Sequence, residues 1–248
     1  CVQQMRRVDF EAVIFRLTVL DHRSLQINLL RRGLVRLALE ELELDYTVHV
    51  IDIQAGDQKK SEYLAINPNG RIPAIIDRDL NDLRVFESAA IMIHLAEKTG
   101  KLLPTKAEDR AEVMSWLMFL MGGIGPMMGQ ANVFFRYFPE KIQPAIDRYQ
   151  NEVRRLFEVL DTHLAESEWL AKDFSIADIA NWCWTRTASW SGVENRDLEH
   201  MQRWQNAMEA RPKSVAGTKV PFDITELLKA EGKDAEQFAK EAEKLVQK

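Results

Sequence analysis

Cysteine is scarce in this chain of 248 residues, which contains only Cys1 and Cys183. Two cysteines so far apart form neither a disulfide framework nor a zinc site, and none of the five histidines has the H-E-x-x-H spacing of a metal-binding helix. The sequence therefore predicts no metal. A reducing cytoplasm is the expected location.

Long apolar runs and a strong excess of one charge are also missing. No apolar stretch approaches the ~18 residues that are needed to cross a bilayer. The net charge of -5 gives no reason to expect nucleic acid or an anionic membrane as a partner. With 46% hydrophobic and 29% charged residues, the composition is typical of a soluble globular protein with a sizeable core.

The first hundred residues alternate between strand and helix patterns. Short apolar runs between turn residues predict strands, and apolar residues at a spacing of three to four predict helices. The order βαβ followed by ββα is typical of a thioredoxin-like α/β domain, which we place over residues 8–103. The predicted elements are strands at Phe15–Leu20 and Tyr46–Ile53 with the end of a helix at Leu34–Leu44 between them, strands at Ala74–Asp77 and Leu83–Phe86, and a helix at Ser88–Thr99.

Beyond Pro104 the strand patterns stop, and we place an all-helical domain over residues 107–248. The glycines and the proline of Gly122–Pro126 are expected to break or kink its first helix. Ser175 and Asp178 have the spacing of a capping box, a structural device at a helix N-terminus. The predicted helices are Ala107–Met121, Met127–Tyr137, Ile142–Leu164, the one that follows Ser175, and an amphipathic tail over Pro221–Lys248.

Two points between Asn67 and Pro104 have the chemistry of a ligand site. Pro73 begins a strand, and a cis peptide there would turn the N–H and C=O of Ile72 outward, toward an extended peptide. The helix that begins after Glu87 has backbone N–H groups and the Ser88 hydroxyl for a carboxylate, while Glu87 suits an ammonium group. A ligand with a free α-amino acid head and a peptide tail fits both points. The alternative is that Pro73 only shapes a turn and Ser88 only caps a helix.

These residues resemble the glutathione-binding half of the glutathione transferase superfamily, whose signature is IPA, a hairpin and then ES-x-A-I. The resemblance implies that Ile72 pairs with the cysteinyl backbone of glutathione and that Glu87 and Ser88 hold its γ-glutamyl head. It also implies the fold, a thioredoxin-like domain followed by a helical domain. The implied glutathione contacts are Gln58, Arg71, Ile72, Pro73, Glu87, Ser88 and Arg148.

Gly122–Phe138 and Ala145–Glu152 resemble one branch of this superfamily, which contains the fungal nitrogen-regulator-like proteins and the bacterial nu-class disulfide-bond reductases. The resemblance implies a homodimer in which Arg148 reaches glutathione in the neighbouring subunit. It also implies glutathione as co-substrate and a small electrophile or disulfide as second substrate, as in detoxification. Asn132, Phe134 and Phe135 would lie near the electrophile pocket; an ordinary core or interface role is the alternative.

One departure from this branch concerns catalysis. The branch activates the glutathione thiol with a Thr-Pro-Asn-Gly turn after the first strand, and residues 21–33 contain no such turn. Ser24 and Asn28 are the neutral hydrogen-bonding candidates, and Arg31 would favour a thiolate electrostatically unless it belongs to a solvated helix face. A shifted reading frame over this segment is the third interpretation. Two functions follow as alternatives, a glutathione-dependent transferase or disulfide reductase and a non-catalytic glutathione-binding regulator.

Overall fold

The computed structural model describes residues 10–13, 25–49, 51, 53 and 55–219, with side chains from residue 33 onward. A small sheet with helices forms the first part of this structure, and helices alone form the second. The elements are β1 Phe10–Val13, α1 Leu25–Glu41, β2 Tyr46–His49, α2 Ser61–Leu64, β3 Ala74–Asp77, β4 Leu83–Phe86, α3 Ser88–Thr99, α4 Ala107–Phe119, α5 Gly125–Asn132, α6 Gln143–Leu164, α7 Ile176–Thr185, α8 Glu199–Glu209 and α9 Pro212–Thr218.

The sheet has the strand order β2-β1-β3-β4. β1 and β2 are parallel and are joined through α1, whereas β3 is antiparallel to both β1 and β4. This arrangement confirms the predicted thioredoxin-like order. The first strand lies at Phe10–Val13, earlier than predicted, and the predicted strand at Phe15–Leu20 lies outside the described residues.

The core of the first domain lies between the sheet and two helices. Val35 and Leu39 lie four residues apart on one face of α1, and Leu42, one residue after the helix ends, continues that face. They pack with Ile75 of β3 and with the buried face of α3, which includes Ile91. This packing fixes α3 against the sheet and so fixes the position of its first residue, Ser88.

The helical part begins with one long run that continues through Gly122–Pro126, where the sequence predicted a break or a kink. Residues 120–124 form a π-helical turn between α4 and α5, and residues 133–137 form a second one after α5. Among the described residues, the 31-residue run Ala107–Tyr137 is the one helix that is long and apolar enough to cross a membrane, by length and composition alone. No apolar run of that length was predicted from the sequence. Leu117, Leu120 and Ile124 of the helical run are fully buried in the core of the helical domain.

The predicted capping box at the start of α7 is confirmed. The Ser175 hydroxyl accepts a hydrogen bond from the N–H of Ala177, and the Asp178 carboxylate accepts one from the N–H of Ser175 at 3.0 Å. Asp178 also accepts hydrogen bonds from the N–H of Leu170 and from Nε1 of Trp204, each at 2.9 Å. A single buried carboxylate therefore joins three segments of the helical domain. The predicted tail over Pro221–Lys248 lies outside the described residues.

Helix α1 packs against the helical domain as well as against its own sheet. A Cβ atom on Gly33 would lie 3.0 Å from Sγ of Cys183 on α7, so the two helices approach each other closely at this point. Burial raises the pKa of the Cys183 thiol to about 12, which keeps it protonated and unreactive. At the C-terminal end of α1, the buried Glu41 carboxylate accepts two hydrogen bonds from the Arg211 guanidinium and one from the Ser214 hydroxyl.

Candidate functional site

A cavity of about 280 Å³ lies between the thioredoxin-like domain and the helical run. Five of the predicted glutathione contacts line it, three from residues 71–73 and two from the start of α3. Its lining residues are Leu34, Asn67, Asn69, Arg71, Ile72, Pro73, Glu87, Ser88, Leu120, Met121, Gly125, Pro126 and Trp184.

The turn before β3 is held by a buried asparagine. Asn67 is 1% exposed; its Oδ1 accepts a hydrogen bond from the N–H of Asn69 at 3.0 Å, and its Nδ2 donates to the carbonyl of Arg71 at 2.6 Å. The hydroxyl of Tyr63 donates to the same carbonyl. The peptide bond between Ile72 and Pro73 is cis. Among the described residues, no turn or loop hydrogen bond uses the N–H or C=O of Ile72.

The second point of the site is the start of α3. Glu87 has a φ of 67° and a ψ of 121°, a conformation that is uncommon for a residue with a side chain and is typical of ligand sites. Ser88 follows as the first helical residue. The first N–H groups of a helix have no partners within it, and in the described part of the chain the N-cap residue Glu87 makes no capping hydrogen bond with its side chain. N–H groups of this kind, with the Ser88 hydroxyl beside them, are suited to an anion. Asn69 donates to the Glu87 carboxylate at 3.3 Å, which links the two points of the site.

The opposite wall of the cavity is mostly apolar. Leu120, Met121 and Pro126 come from the helical run, and Leu34 comes from α1. The ring of Trp184 is 7% exposed and lies close to Gly125, where a Cβ atom would be 3.7 Å from it. The cavity therefore presents polar groups on one side and apolar side chains on the other. Such a combination is common in small-molecule sites.

A cluster of Asp77, Lys98 and His94 holds α3 against the end of β3. The fully buried Asp77 carboxylate lies 2.7 Å from Nζ of Lys98 and 2.8 Å from Nε2 of His94, and it accepts a hydrogen bond from the N–H of Asp79. Burial alone would raise the pKa of Asp77, but the hydrogen bonds from Lys98 and His94 outweigh burial and hold this pKa below its ordinary value. Asp77 ends β3, and its two partners lie on α3, so the cluster joins the strand after Pro73 to the helix that begins at Ser88.

Two predicted glutathione contacts lie away from the cavity. Gln58 is in the turn before α2, and its backbone carbonyl is 3.1 Å from where a Cβ atom on Gly70 would be. Its Oε1 is buried and has no hydrogen-bond partner among the described residues. Arg148 is on α6, where its side chain is 67% exposed and lies 3.8 Å from Glu152. Its predicted role requires a second subunit.

The three residues predicted for the electrophile pocket are not part of the cavity lining. Oδ1 of Asn132 accepts a hydrogen bond from the buried Ser191 hydroxyl at 2.9 Å. Phe134 stacks on Tyr149 with a distance of 5.5 Å between ring centroids, and the guanidinium of Arg136 lies over the ring of Phe135, 4.4 Å from its centroid. These contacts are those of packed side chains, and the pocket assignment stays a prediction.

The thiol-activating candidates lie at or before the start of α1. Ser24 is outside the described residues, while Asn28 and Arg31 are in the first two turns of the helix, which begins at Leu25. β1 ends at Val13, and residues 14–24 between the two elements are outside the described residues.

The asparagines that support the polar wall and the residues that form the apolar wall were not predicted from the sequence. Asn67 and Asn69 flank Pro68, and asparagines beside a proline are a signal of side-chain-supported turns that was available in the sequence. Trp184 and Met121 had no such signal, because only the packing of distant helices brings them to the cavity.

Comparisons with known proteins agree with this architecture. The family model described as "Glutathione S-transferase, N-terminal domain" matches residues 34–98, which include the whole polar wall of the cavity. The model described as "Glutathione S-transferase, C-terminal domain" matches residues 116–212, which include the helical wall.

Curated relatives and a solved structure extend the match to most of the chain. Disulfide-bond oxidoreductase YfcG of Escherichia coli is 40% identical over 183 residues, which are 72% of this chain and 85% of that protein. Disulfide-bond oxidoreductase YghU of the same organism is 38% identical over 185 residues, 71% of this chain and 64% of that protein. The structure of Ure2p in complex with glutathione superimposes with a TM-score of 0.76 at 27% identity, covering 86% of this chain and 99% of that one. The chain belongs to the glutathione S-transferase family.

Proposed function

We propose that this protein binds glutathione in the cavity between its two domains. The observation that carries the proposal is that Ile72, Glu87 and Ser88 lie on one wall of the cavity. Among the described residues, no turn or loop hydrogen bond uses the backbone groups of Ile72, and the Glu87 side chain makes no capping hydrogen bond at the start of α3. The γ-glutamyl head has its carboxylate at Ser88 and its ammonium group at Glu87, and the cysteinyl backbone pairs with Ile72. The solved relative with glutathione supports this proposal.

The reaction that this site favours is thiol–disulfide exchange. The glutathione thiolate attacks one sulfur of a disulfide, a mixed disulfide with glutathione forms, and the other sulfur leaves as a thiolate. A second glutathione then releases the remaining thiol and yields glutathione disulfide. The protein forms no covalent bond, because its task is to position the two reactants. The names of its two Escherichia coli relatives support disulfides over other electrophiles.

A second candidate function is a regulatory protein that binds glutathione without activating it. The absence of a Thr-Pro-Asn-Gly turn before α1 favours this alternative. Two assays separate the candidates, one with hydroxyethyl disulfide and one with an aryl halide. Turnover of the disulfide supports the reductase, whereas binding without turnover in either assay supports the regulator.

Calorimetric titration with glutathione tests the binding site directly. We expect binding to the wild-type protein, weakened in Ser88→Ala by ~1–3 kcal/mol because polar groups of the ligand lose their partner. Ser115→Ala is the matched control, since the Ser115 hydroxyl is exposed on α4 and donates only to the carbonyl of Ala111. If glutathione at millimolar concentration gives no heat of binding, the site is wrongly assigned.

We also propose a cytoplasmic homodimer with a role in detoxification. The reducing cytoplasm supplies glutathione, and exchange with glutathione removes disulfides and electrophiles. Among the described residues, Arg148 is exposed and is not part of the lining of this cavity, which fits a contact with glutathione in a neighbouring subunit.

A further inference from the structure

Two buried hydrogen-bond donors meet at one backbone carbonyl beside the proposed glutathione site. The hydroxyl of Tyr63 and Nδ2 of Asn67 both donate to the carbonyl of Arg71, the latter at 2.6 Å. Tyr63 is 3% exposed and Asn67 is 1% exposed. Burial raises the pKa of Tyr63 above its ordinary value, so its hydroxyl keeps the proton that it donates at neutral pH.

The two donors are themselves held in place by backbone hydrogen bonds. The N–H of Asn67 donates to the carbonyl of Tyr63, and the carbonyl of Asn67 accepts from the N–H of Gly70, each at 2.9 Å. Oδ1 of Asn67 accepts from the N–H of Asn69 at 3.0 Å, which orients the side-chain amide so that Nδ2 faces Arg71. Packed groups of the protein, and not solvent, therefore set the direction of the Arg71 carbonyl.

The Arg71 carbonyl shares one peptide plane with the N–H of Ile72. The peptide bond between these two residues is trans, and in a planar trans peptide the C=O and N–H groups point in opposite directions. The carbonyl points to Tyr63, which is not part of the cavity lining, whereas Arg71 and Ile72 both belong to it. Within the described part of the chain, no turn or loop hydrogen bond uses the N–H of Ile72. That N–H therefore lies on the side of the peptide plane away from Tyr63.

We propose that Tyr63 and Asn67 are positioning residues, which hold the Arg71 carbonyl and so direct the N–H of Ile72 toward the cysteinyl carbonyl of bound glutathione. This inference rests on the proposed function, because that function places the cysteinyl backbone at Ile72. A hydrogen bond weakens steeply as its angle departs from linear, so a rotation of the peptide plane weakens this contact. The effect of Tyr63 and Asn67 on affinity therefore depends on whether the ligand has an acceptor for the Ile72 N–H.

Two ligands test this dependence, glutathione and an isostere whose Cys–Gly peptide bond is replaced by a trans carbon–carbon double bond. The isostere keeps the shape and the charges of glutathione but lacks the cysteinyl carbonyl. Calorimetry at pH 7 in the presence of a reductant measures the affinity of each. We expect the wild-type protein to bind glutathione about tenfold more tightly than the isostere, which is the effect of one hydrogen bond.

The variant Tyr63→Phe removes one donor to the Arg71 carbonyl, keeps the ring in place and changes no residue of the cavity lining. We expect the affinity ratio of the two ligands to fall from about tenfold to about threefold, because Asn67 still holds the carbonyl. Asn67→Asp replaces the other donor by a carboxylate oxygen that repels the carbonyl, and the ratio should fall toward one. The new negative charge acts equally on two ligands of the same charge, so it cancels in the ratio.

Asn181→Asp is the matched control. Asn181 is fully buried and lies outside the cavity lining, and its Nδ2 also donates to a backbone carbonyl, that of Trp116 at 3.0 Å. This variant loses the same kind of hydrogen bond without any link to Ile72, so it should keep the tenfold ratio. A control ratio that falls as far as that of Asn67→Asp would show a general effect of destabilisation and would overturn the proposal.

The remaining outcomes separate positioning from a purely structural role. If Tyr63→Phe and Asn67→Asp weaken both ligands equally while circular dichroism shows a native fold, the ratio stays tenfold and the positioning role is refuted. If the wild-type protein binds both ligands equally, the Ile72 N–H does not contact the ligand, and the positioning role fails while glutathione binding stands. If glutathione itself does not bind, the proposed function fails and the positioning role fails with it. If Asn67→Asp does not fold, Tyr63→Phe decides alone, since a threefold ratio supports the proposal and a tenfold ratio refutes it.

Discussion

Asp77 illustrates how a residue that touches no ligand positions the site. Its carboxylate is fully buried at the end of β3, and its partners Lys98 and His94 both belong to α3. Asp77 therefore joins the strand that follows Pro73 to the helix that begins at Ser88, the two points of the proposed glutathione site.

Replacement of Asp77 by asparagine should lower the free energy of unfolding by about 1–3 kcal/mol at pH 7, since hydrogen bonds to a charged group are lost. The pKa of Asp77 is held below its ordinary value in the folded protein, so its stabilising effect is present above the unfolded pKa and is lost as the pH falls through the folded pKa. The difference between wild type and variant should therefore shrink below about pH 4. Urea unfolding at pH 7 and pH 3 measures it. An equal difference at both pH values would show that the charge is not responsible.

Activation of bound glutathione stays a prediction that concerns Ser24, Asn28 and Arg31. Without the Thr-Pro-Asn-Gly turn, we expect its thiol to keep a pKa near the free cysteine value of ~8.5. The thiolate absorbance of the bound peptide as a function of pH measures this value. A much lower pKa that Ser24→Ala or Asn28→Ala abolishes would reveal a substitute hydrogen-bond donor. A low pKa that rises only in Arg31→Ala would instead reveal electrostatic activation.

At the scale of elements, local pattern predicted most of the fold. The end of α1, the hairpin of β3 and β4, and the cap at Ser175 each follow from a few neighbouring residues. The continuous run through Gly122–Pro126 did not follow from local pattern, which predicted a break or a kink and could not choose between them. Burial of Leu120 and Ile124 in the helical core keeps this segment helical, and such tertiary packing is not visible in the local sequence.

The contact between α1 and α9 depends on a glycine. A Cβ atom on Gly217 would lie 2.9 Å from the Cα atom of Leu37, and the backbone of α1 has no room to give way without a shift of the helix. Gly217→Ala should therefore lower the free energy of unfolding by about 1–3 kcal/mol, the usual cost of an overpacked contact. Gly122→Ala is the control, because a Cβ atom there meets nothing within 4 Å and alanine favours a helix. Denaturant unfolding compares the two variants, and equal stability would argue against the close helix contact.

At the scale of the whole molecule, the cavity exists because the two domains are packed together through α1. Glu41 on α1 and Arg211 before α9 form a partly buried ion pair with hydrogen-bond distances of 3.0 and 2.7 Å, and they lie 170 residues apart in the sequence. The polar wall could be predicted from sequence because its residues lie within one stretch with a family signature. The apolar wall could not, because Leu34, Met121 and Trp184 meet only when the domains dock. The predicted domain limits of 8–103 and 107–248 extend beyond the described residues and stay a prediction.

The predicted role of Arg148 depends on the assembly of two subunits. The aromatic and methionine-rich segment 122–138, which suggested an interface in the sequence, has Met128 and Tyr137 in the core of its own subunit. Among the described residues, exposed apolar side chains occur on the edge strand β4, at Leu83 and Phe86, and also on the helical part, for example at Met118. An unpaired strand edge with such side chains is a surface that association covers.

We therefore expect a homodimer, with a mass near twice 28.6 kDa in equilibrium sedimentation at micromolar concentration. Because Arg148 is exposed and outside its own cavity, Arg148→Ala should weaken glutathione binding only if the neighbouring subunit supplies this arginine, and the dimer mass should not change. Arg155→Ala is the control, since Arg155 is also exposed on α6 and also pairs with Glu152. A mass near 28.6 kDa together with full glutathione affinity would show that one subunit forms the complete site, and Arg148 would then have no part in it.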